Sequence, residues 1–326
     1  MRASPLPTIV IAIVALAAGC SSRSRSEPDA STPLPDAFEP PTSHAPSTSL
    51  NAVTAAPDAS SADAPSFPGS DGGAADAAAG AEPDARTDGC EQGMVRVEGE
   101  YCPVVIHKCL KHHKEYDSSK DDKNVSERCL RYKEPSRCFV NKRAHLSFCM
   151  DRYEYPNRVG EMPWVLTSWL QAKALCEKQG KRLCTEDEFN FACEGPEILP
   201  YAYGFVRDEA KCNIDRPYER PDLSKKMLTY EKCLLDERCL AELKRLDQRH
   251  AIGSRMTCVS WAGVVDINGN VNEWVERVGK KPPHRSGLKG GWWGPVRSRC
   301  RPTVDFHKEF DYGYEAGFRC CKDAAG

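Results

Sequence analysis

The stretch Thr167–Cys193, TSWLQAKALCEKQGKRLCTEDEFNFAC, encodes two short amphipathic helices in succession, each with a cysteine near its C-terminal end. Ser168 is placed to cap WLQAKALCEKQ, which sets Trp169, Ala172, Leu175 and Cys176 on one face, and Gly180 supplies the stop. Thr185 opens the second helix: T-x-x-E (Thr185, Glu188) is a capping box ahead of FNFAC, and Gly195 ends it. Cys176 and Cys193 thus lie on or beside apolar faces, where each can be stapled to a distant segment. Downstream runs are short, aromatic and Gly-rich, which predicts an irregular α+β fold with little regular secondary structure, stapled by disulfides.

Working outward, ordered sequence begins near Cys90. GMVRVEGEYCPVV (Gly93–Val105) reads as short strands. A charged stretch from His107 to Arg143 follows without clear periodicity, and its KHHKEYD group (Lys111–Asp117) reads as a solvated loop or a metal site and is left unassigned. The expected divisions are 90–145 for a cysteine-containing N-terminal part and 146–326 for the core. From Ser21 to Gly89 the chain is Ala, Ser, Pro, Asp and Gly with isolated large apolar residues, so 21–89 is expected to be a disordered tether. As a random coil it would reach on the order of 45 Å. Ahead of it, Met1-Arg2, the apolar run Thr8–Ala18 and the small residues Ala17-Ala18-Gly19 before Cys20 form a signal peptide with a lipobox over 1–20. The run is too short to span a bilayer, and Cys20 is the expected lipidation site, which makes the membrane a partner and gives an exported, membrane-anchored lipoprotein.

Export sets the redox compartment. Of seventeen cysteines, removing Cys20 leaves sixteen, an even number that allows up to eight disulfides. No CxxC pair occurs, so structural zinc is not expected. A net charge of -2 gives no reason to expect nucleic acid.

FCMDRYEYPN (Phe148–Asn157), the helical stretch above, DINGNVNEWV (Asp266–Val275), LKGGWW (Leu288–Trp293) and YEAGFRCC (Tyr314–Cys321) occur in an order that resembles the formylglycine-generating enzymes, the sulfatase-modifying factor family, over roughly Gly93 to Lys322. The resemblance implies a low-secondary-structure α+β fold related to the C-type lectins, and a calcium requirement. DINGNVNE itself offers carboxylates at Asp266 and Glu273 around a Gly/Asn turn, the hard oxygens calcium prefers, although exposed acids on a tight turn would read the same way. By resemblance the ligands are the side chains of Asp266 and Glu273 and the carbonyls of Gly269 and Val271. The resemblance implies a second site that begins at Asn213-Ile214, with Asp247 the candidate for a further ligand. The resemblance also pairs Cys176 with Cys320 or its neighbour Cys321, and Cys193 with Cys300.

The family's enzymes oxidise a substrate cysteine with copper held by two cysteines in the segment after Gly-Gly, since thiolates favour Cu(I). Here that segment is GGWWGPVRSRCR (Gly290–Arg301). One alignment makes Cys300 the structural partner of Cys193 and deletes the copper stretch; another puts Cys300 at one copper position and Pro295 at the other. Neither supplies two ligands, so copper is not expected. The family's serine after Gly-Gly is Trp292 here and a family tryptophan is Asn272. An iron-dependent branch of the fold takes histidines from an added helical domain; nothing before Cys90 resembles one, and the eight histidines form no HxxxH or HExxH cluster. No catalytic residue is assigned. Trp292, Trp293, Arg297, Arg299 and Arg301, with Tyr312 and Tyr314, can line a groove for a peptide or glycan, or can be core tryptophans with an ion-paired arginine rim. The leading expectation is a lipid-anchored, non-oxidase binding or assembly module. The alternative is a formylglycine-generating-type or other metal-dependent oxidoreductase with a diverged site.

Overall fold

Valines at alternate positions of Met94–Tyr101 point inward while Glu98 and Glu100 face water, and this strand, β1, pairs antiparallel with β6 (Ala144–Asp151) from Met94↔Asp151 to Tyr101↔Ala144. The computed structural model describes residues 89–115, 127–222 and 224–324. The expected signal peptide, Cys20 and all of the expected tether but Gly89 lie outside the described residues, which belong to one unit, Asp76–Gly326. The C-terminal strand β11 (Cys320–Asp323) adds to β6, and β7 (Arg182–Leu183) adds to β11, giving a four-stranded sheet in the order β1-β6-β11-β7. A three-stranded sheet holds β8 (Asn272–Glu276) between β10 (Ala316–Gly317), parallel to it, and β9 (Ser286–Lys289), antiparallel.

Just before the stretch without periodicity, β2 (Val105–Ile106) pairs with β5 (Arg137–Cys138) from within it, and inside it β3 (Cys109–His112) pairs with β4 (Cys129–Tyr132). Two-residue and bulged strands leave no period-2 pattern to read, and the disulfides Cys102–Cys138 and Cys109–Cys129 hold them.

The helices α1 (Trp169–Lys178) and α2 (Glu186–Glu194) begin where their caps predict. Ser168 and Thr185 each accept from the backbone N–H three residues on, and Gln171 and Glu188 reciprocate. Gly195, at φ 66°, lets the chain leave α2 in a conformation that L side chains rarely adopt. Within the charged segment 218–250 lie α3 (Tyr230–Leu234) and α4 (Glu237–Leu246), closed on each other by Cys233–Cys239.

The fold's long-range staples converge on the C-terminus. Cys176 on α1 bonds Cys320, Cys184 bonds Cys321, and Cys193 on α2 bonds Cys300. Adjacent cysteines on a strand face opposite sides, so Cys320 joins the core around Trp169, Trp274 and Phe318 while Cys321 joins the core around Phe148, Phe189 and Phe191. With Cys90–Cys149 and Cys212–Cys258, all sixteen cysteines from Cys90 onward are paired. Among the described residues no helix is long and apolar enough to cross a membrane.

Candidate functional site

The loop Asp266–Val271 turns tightly because Gly269 sits at φ 81°, where a Cβ would lie 2.3 Å from the carbonyl oxygen of Asn213. The same close approach lets Asn270 N–H donate to that oxygen at 2.9 Å. Asn213-Ile214 and the DINGNV loop, read in the sequence as two sites, are thus in contact. Asn213 Nδ2 donates to Asn270 Oδ1 (3.1 Å) and to the carbonyl of Gln248 (2.9 Å). Asp247 instead engages Arg249 through both oxygens, at 2.7 and 2.6 Å.

Beneath the loop lies a buried charge cluster. Arg319, 1 % exposed, donates to both oxygens of Glu273 at 2.5 and 2.7 Å. Glu154 accepts from Asn270 Nδ2 (2.6 Å) and from Val271 N–H (3.2 Å). Burial, with the neighbouring charges of Asp266 and Glu273, pushes the Glu154 carboxyl well above the usual carboxylate range. Burial likewise pushes Asp266 up to about 7 against the pull of Arg319. Three buried carboxylates thus gather near Arg319, which bonds Glu273 alone among them, with Arg255 also drawing on Asp266, a concentration of negative charge that favours a bound cation or protons. Their oxygens are of the kind calcium takes, but a calcium ion at Glu273 has to share that carboxylate with Arg319. Arg319 and Glu154 sit inside motifs quoted from the sequence, yet nothing in their spacing brings them to one buried cluster with Asp266 and Glu273.

Among the described residues, Cys109, Glu127 and Cys129 bring metal-binding atoms within 4.8 Å of one another. The two sulfurs are already bonded, leaving no thiolate, and Glu127 accepts from Tyr132 Oη (2.7 Å) and pairs with Arg299 (2.8 Å).

The Trp/Arg set does not line an open groove. Trp292 and Trp293 are 3 % and 1 % exposed, packed with Tyr314 against Cys233, Cys239, Leu243 and Leu246 of α3 and α4. Arg299 donates to Tyr132 Oη at 2.9 Å, Arg301 pairs with Glu194, and Arg297 is half-buried at φ 69°. The physical reason is the 218–250 segment, whose apolar helix faces need burial and find it on the tryptophans. Asn272 lies fully buried on β8, and neither end of its amide has a hydrogen-bond partner among the described residues.

The start of α3 also lines a cleft of about 270 Å³ with α1 and the residues preceding it. Gln171, Ala174, Leu175 and Lys178 face it at i, i+3, i+4 and i+7, opposite Trp164 and Tyr230. The Trp164 ring lies 5.1 Å from Tyr230 and 5.1 Å from Tyr155, and Tyr155 stacks on Phe318 at 4.4 Å. Leu166, buried in the floor, holds φ 52°, a strained conformation for a bulky residue. No motif announces this cleft, because its walls combine α1, the residues just before it and the distant Thr229–Glu231.

Three solved structures align with parts of this chain. CarF matches at 15 % identity and TM-score 0.41, over 71 % of this chain and 98 % of its own. PvdO from Pseudomonas aeruginosa matches at 15 % and 0.41, over 71 % and 94 %. Treponema denticola variable protein 1 matches at 15 % and 0.39, over 71 % and 94 %. No curated protein matches the chain. The family model for the sulfatase-modifying factor enzyme 1-like domain matches residues 148–324, more than half of the 326-residue chain. With DINGNV, GGWW and GFRCC inside that span, the chain belongs to the family of sulfatase-modifying factor enzyme 1-like domains.

Proposed function

We propose that the protein is an exported, lipid-anchored binding module that does not perform the family's copper oxidation and that holds its ligand in the α1–α3 cleft. The observation that carries this reading is the bond between Cys300 and Cys193: the one cysteine in the segment after Gly-Gly is a structural staple. A thiolate pair is what Cu(I) chemistry requires. The segment's tryptophans are core, and helices α3 and α4 cover them. Eight disulfides support export to an oxidising compartment, and the lipobox before Cys20 supports anchoring.

Thiol counting and Cu(I) titration of the mature, purified chain test the catalytic half: no free thiol and no stoichiometric copper are expected. Stoichiometric Cu(I) with oxygen uptake on a cysteine-containing peptide would replace the module with an oxidase. Fractionation tests the anchor, since Cys20→Ser should release the protein from membranes.

The second reading, calcium on the Asp266–Glu273 loop, is favoured by the three buried carboxylates Glu154, Asp266 and Glu273 gathered there. Calcium should raise the melting temperature and a chelator should lower it. Identical melting curves would remove calcium from the site.

A further inference from the structure

We infer that the α1–α3 cleft takes a neutral sugar ring, a ligand class that rests on the binding-module reading above. Volume is the first constraint. About 270 Å³ is just under the ~300–1,000 Å³ typical of drug-sized pockets. That space suits one or two rings better than a folded peptide segment.

The walls suit a flat ring with an apolar face. Trp164 is fixed between Tyr155 and Tyr230, and Arg249 lies 5.8 Å over the Tyr230 ring while its own guanidinium is held by Asp247. A stacking surface already locked in place loses little conformational freedom on binding. Because Arg249 occupies one face of Tyr230, the aromatic pair does not form a cage for a cationic ligand.

The rim supplies hydrogen bonding without net charge. Lys178 and Glu231 carry opposite signs, and neither is in an ion pair among the described residues. Gln171 is oriented by its own helix: its Oε1 accepts Ser168 N–H at 3.1 Å in the capping box, which leaves the Nε2 hydrogens for a ligand. Thr229 precedes α3 but makes no side-chain capping bond, so its hydroxyl is also available. Fixed donors, a hydroxyl, an acceptor carboxylate and an aromatic platform match a polyol ring. A charged ligand would gain from one of Lys178 and Glu231 and lose to the other.

Intrinsic tryptophan fluorescence of the purified full chain, titrated with chitotriose, maltotriose and the uncharged tripeptide acetyl-Gly-Phe-Gly-amide, tests this. Saturable quenching by a neutral oligosaccharide is expected at sub-millimolar concentration. It should weaken at least fivefold in Thr229→Val and Gln171→Met and be lost in Trp164→Ala. Leu235→Ala, at a fully solvated position outside the cleft, should leave affinity unchanged. Melting curves of each variant confirm that it is folded, and the two conservative variants keep the test valid if Trp164→Ala is not. Binding of the tripeptide alone, weakened by these substitutions, would overturn the sugar while keeping the cleft as the ligand site. Saturation indifferent to Thr229, Gln171 and Trp164, or no saturation by any probe, would overturn the cleft.

Discussion

Asn272 shows how much one side chain can depart from its surroundings. It stands fully buried on β8, where the family has tryptophan, and both ends of its amide lack a partner among the described residues. A buried polar group left unpaired costs ~1–3 kcal/mol, whereas an apolar replacement of similar shape can be neutral or stabilising. Asn272→Leu should therefore raise the melting temperature by about 2–4 °C for each ~1 kcal/mol recovered; a lower melting temperature would mean that the amide has found a partner. His107 is a second case. Its Nε2 lies 3.1 Å from the Ile198 carbonyl, and burial pushes its pKa down to about 4. The folded state thus holds a neutral ring while the unfolded chain takes up a proton near pH 6.5. This contribution to stability is complete above about pH 6.5 and is lost as pH falls toward 4, about 3 kcal/mol in all at ~1.4 kcal/mol per pH unit. Denaturation of wild type and His107→Gln across that range should show the difference between them shrinking as pH falls.

At the scale of elements, the helices were legible because their signals are local. A capping box needs only four consecutive residues, and Thr185 with Glu188 forms one at the start of α2. Thr185→Ala should cost ~1 kcal/mol, visible as a lower urea midpoint with an unchanged slope. Beyond the run Gly93–Val105, which reads as strand, the short strands were not legible. Two-residue strands such as β2, β5, β7 and β10 exist only because a neighbour pairs with them. Helices α3 and α4 show the same limit, since their charged sequence conceals the apolar contacts of Leu243 and Leu246 with Trp292 and Trp293.

Across the whole molecule the disulfides do what a divided core cannot. The Cys176–Cys320 bond closes 144 residues and ties α1 to the last strand. In the chain-entropy account such a loop contributes about 5 kcal/mol by restricting the unfolded state. The double substitution Cys176→Ala/Cys320→Ala should lower stability by that order and leave the protein unfolded well below the wild-type midpoint in a guanidinium titration. Loss of under 1 kcal/mol would mean that the two sheets hold the C-terminus without the staple.

What the sequence determined by itself was whatever lies within a few residues: the helix caps, the motifs that place the chain in its family, and the tight turn at Gly269. Tertiary structure decided which of these groups meet. It gave Glu273 to Arg319 and set Asn213 against the DINGNV loop. Of the two readings open for the tryptophans, groove or core, it made them core, and it formed a separate cleft at α1 and the start of α3. The reason is physical: a cap or a turn is satisfied by its own neighbours, whereas a buried charge or an apolar helix face is satisfied by whichever distant surface the fold brings to it.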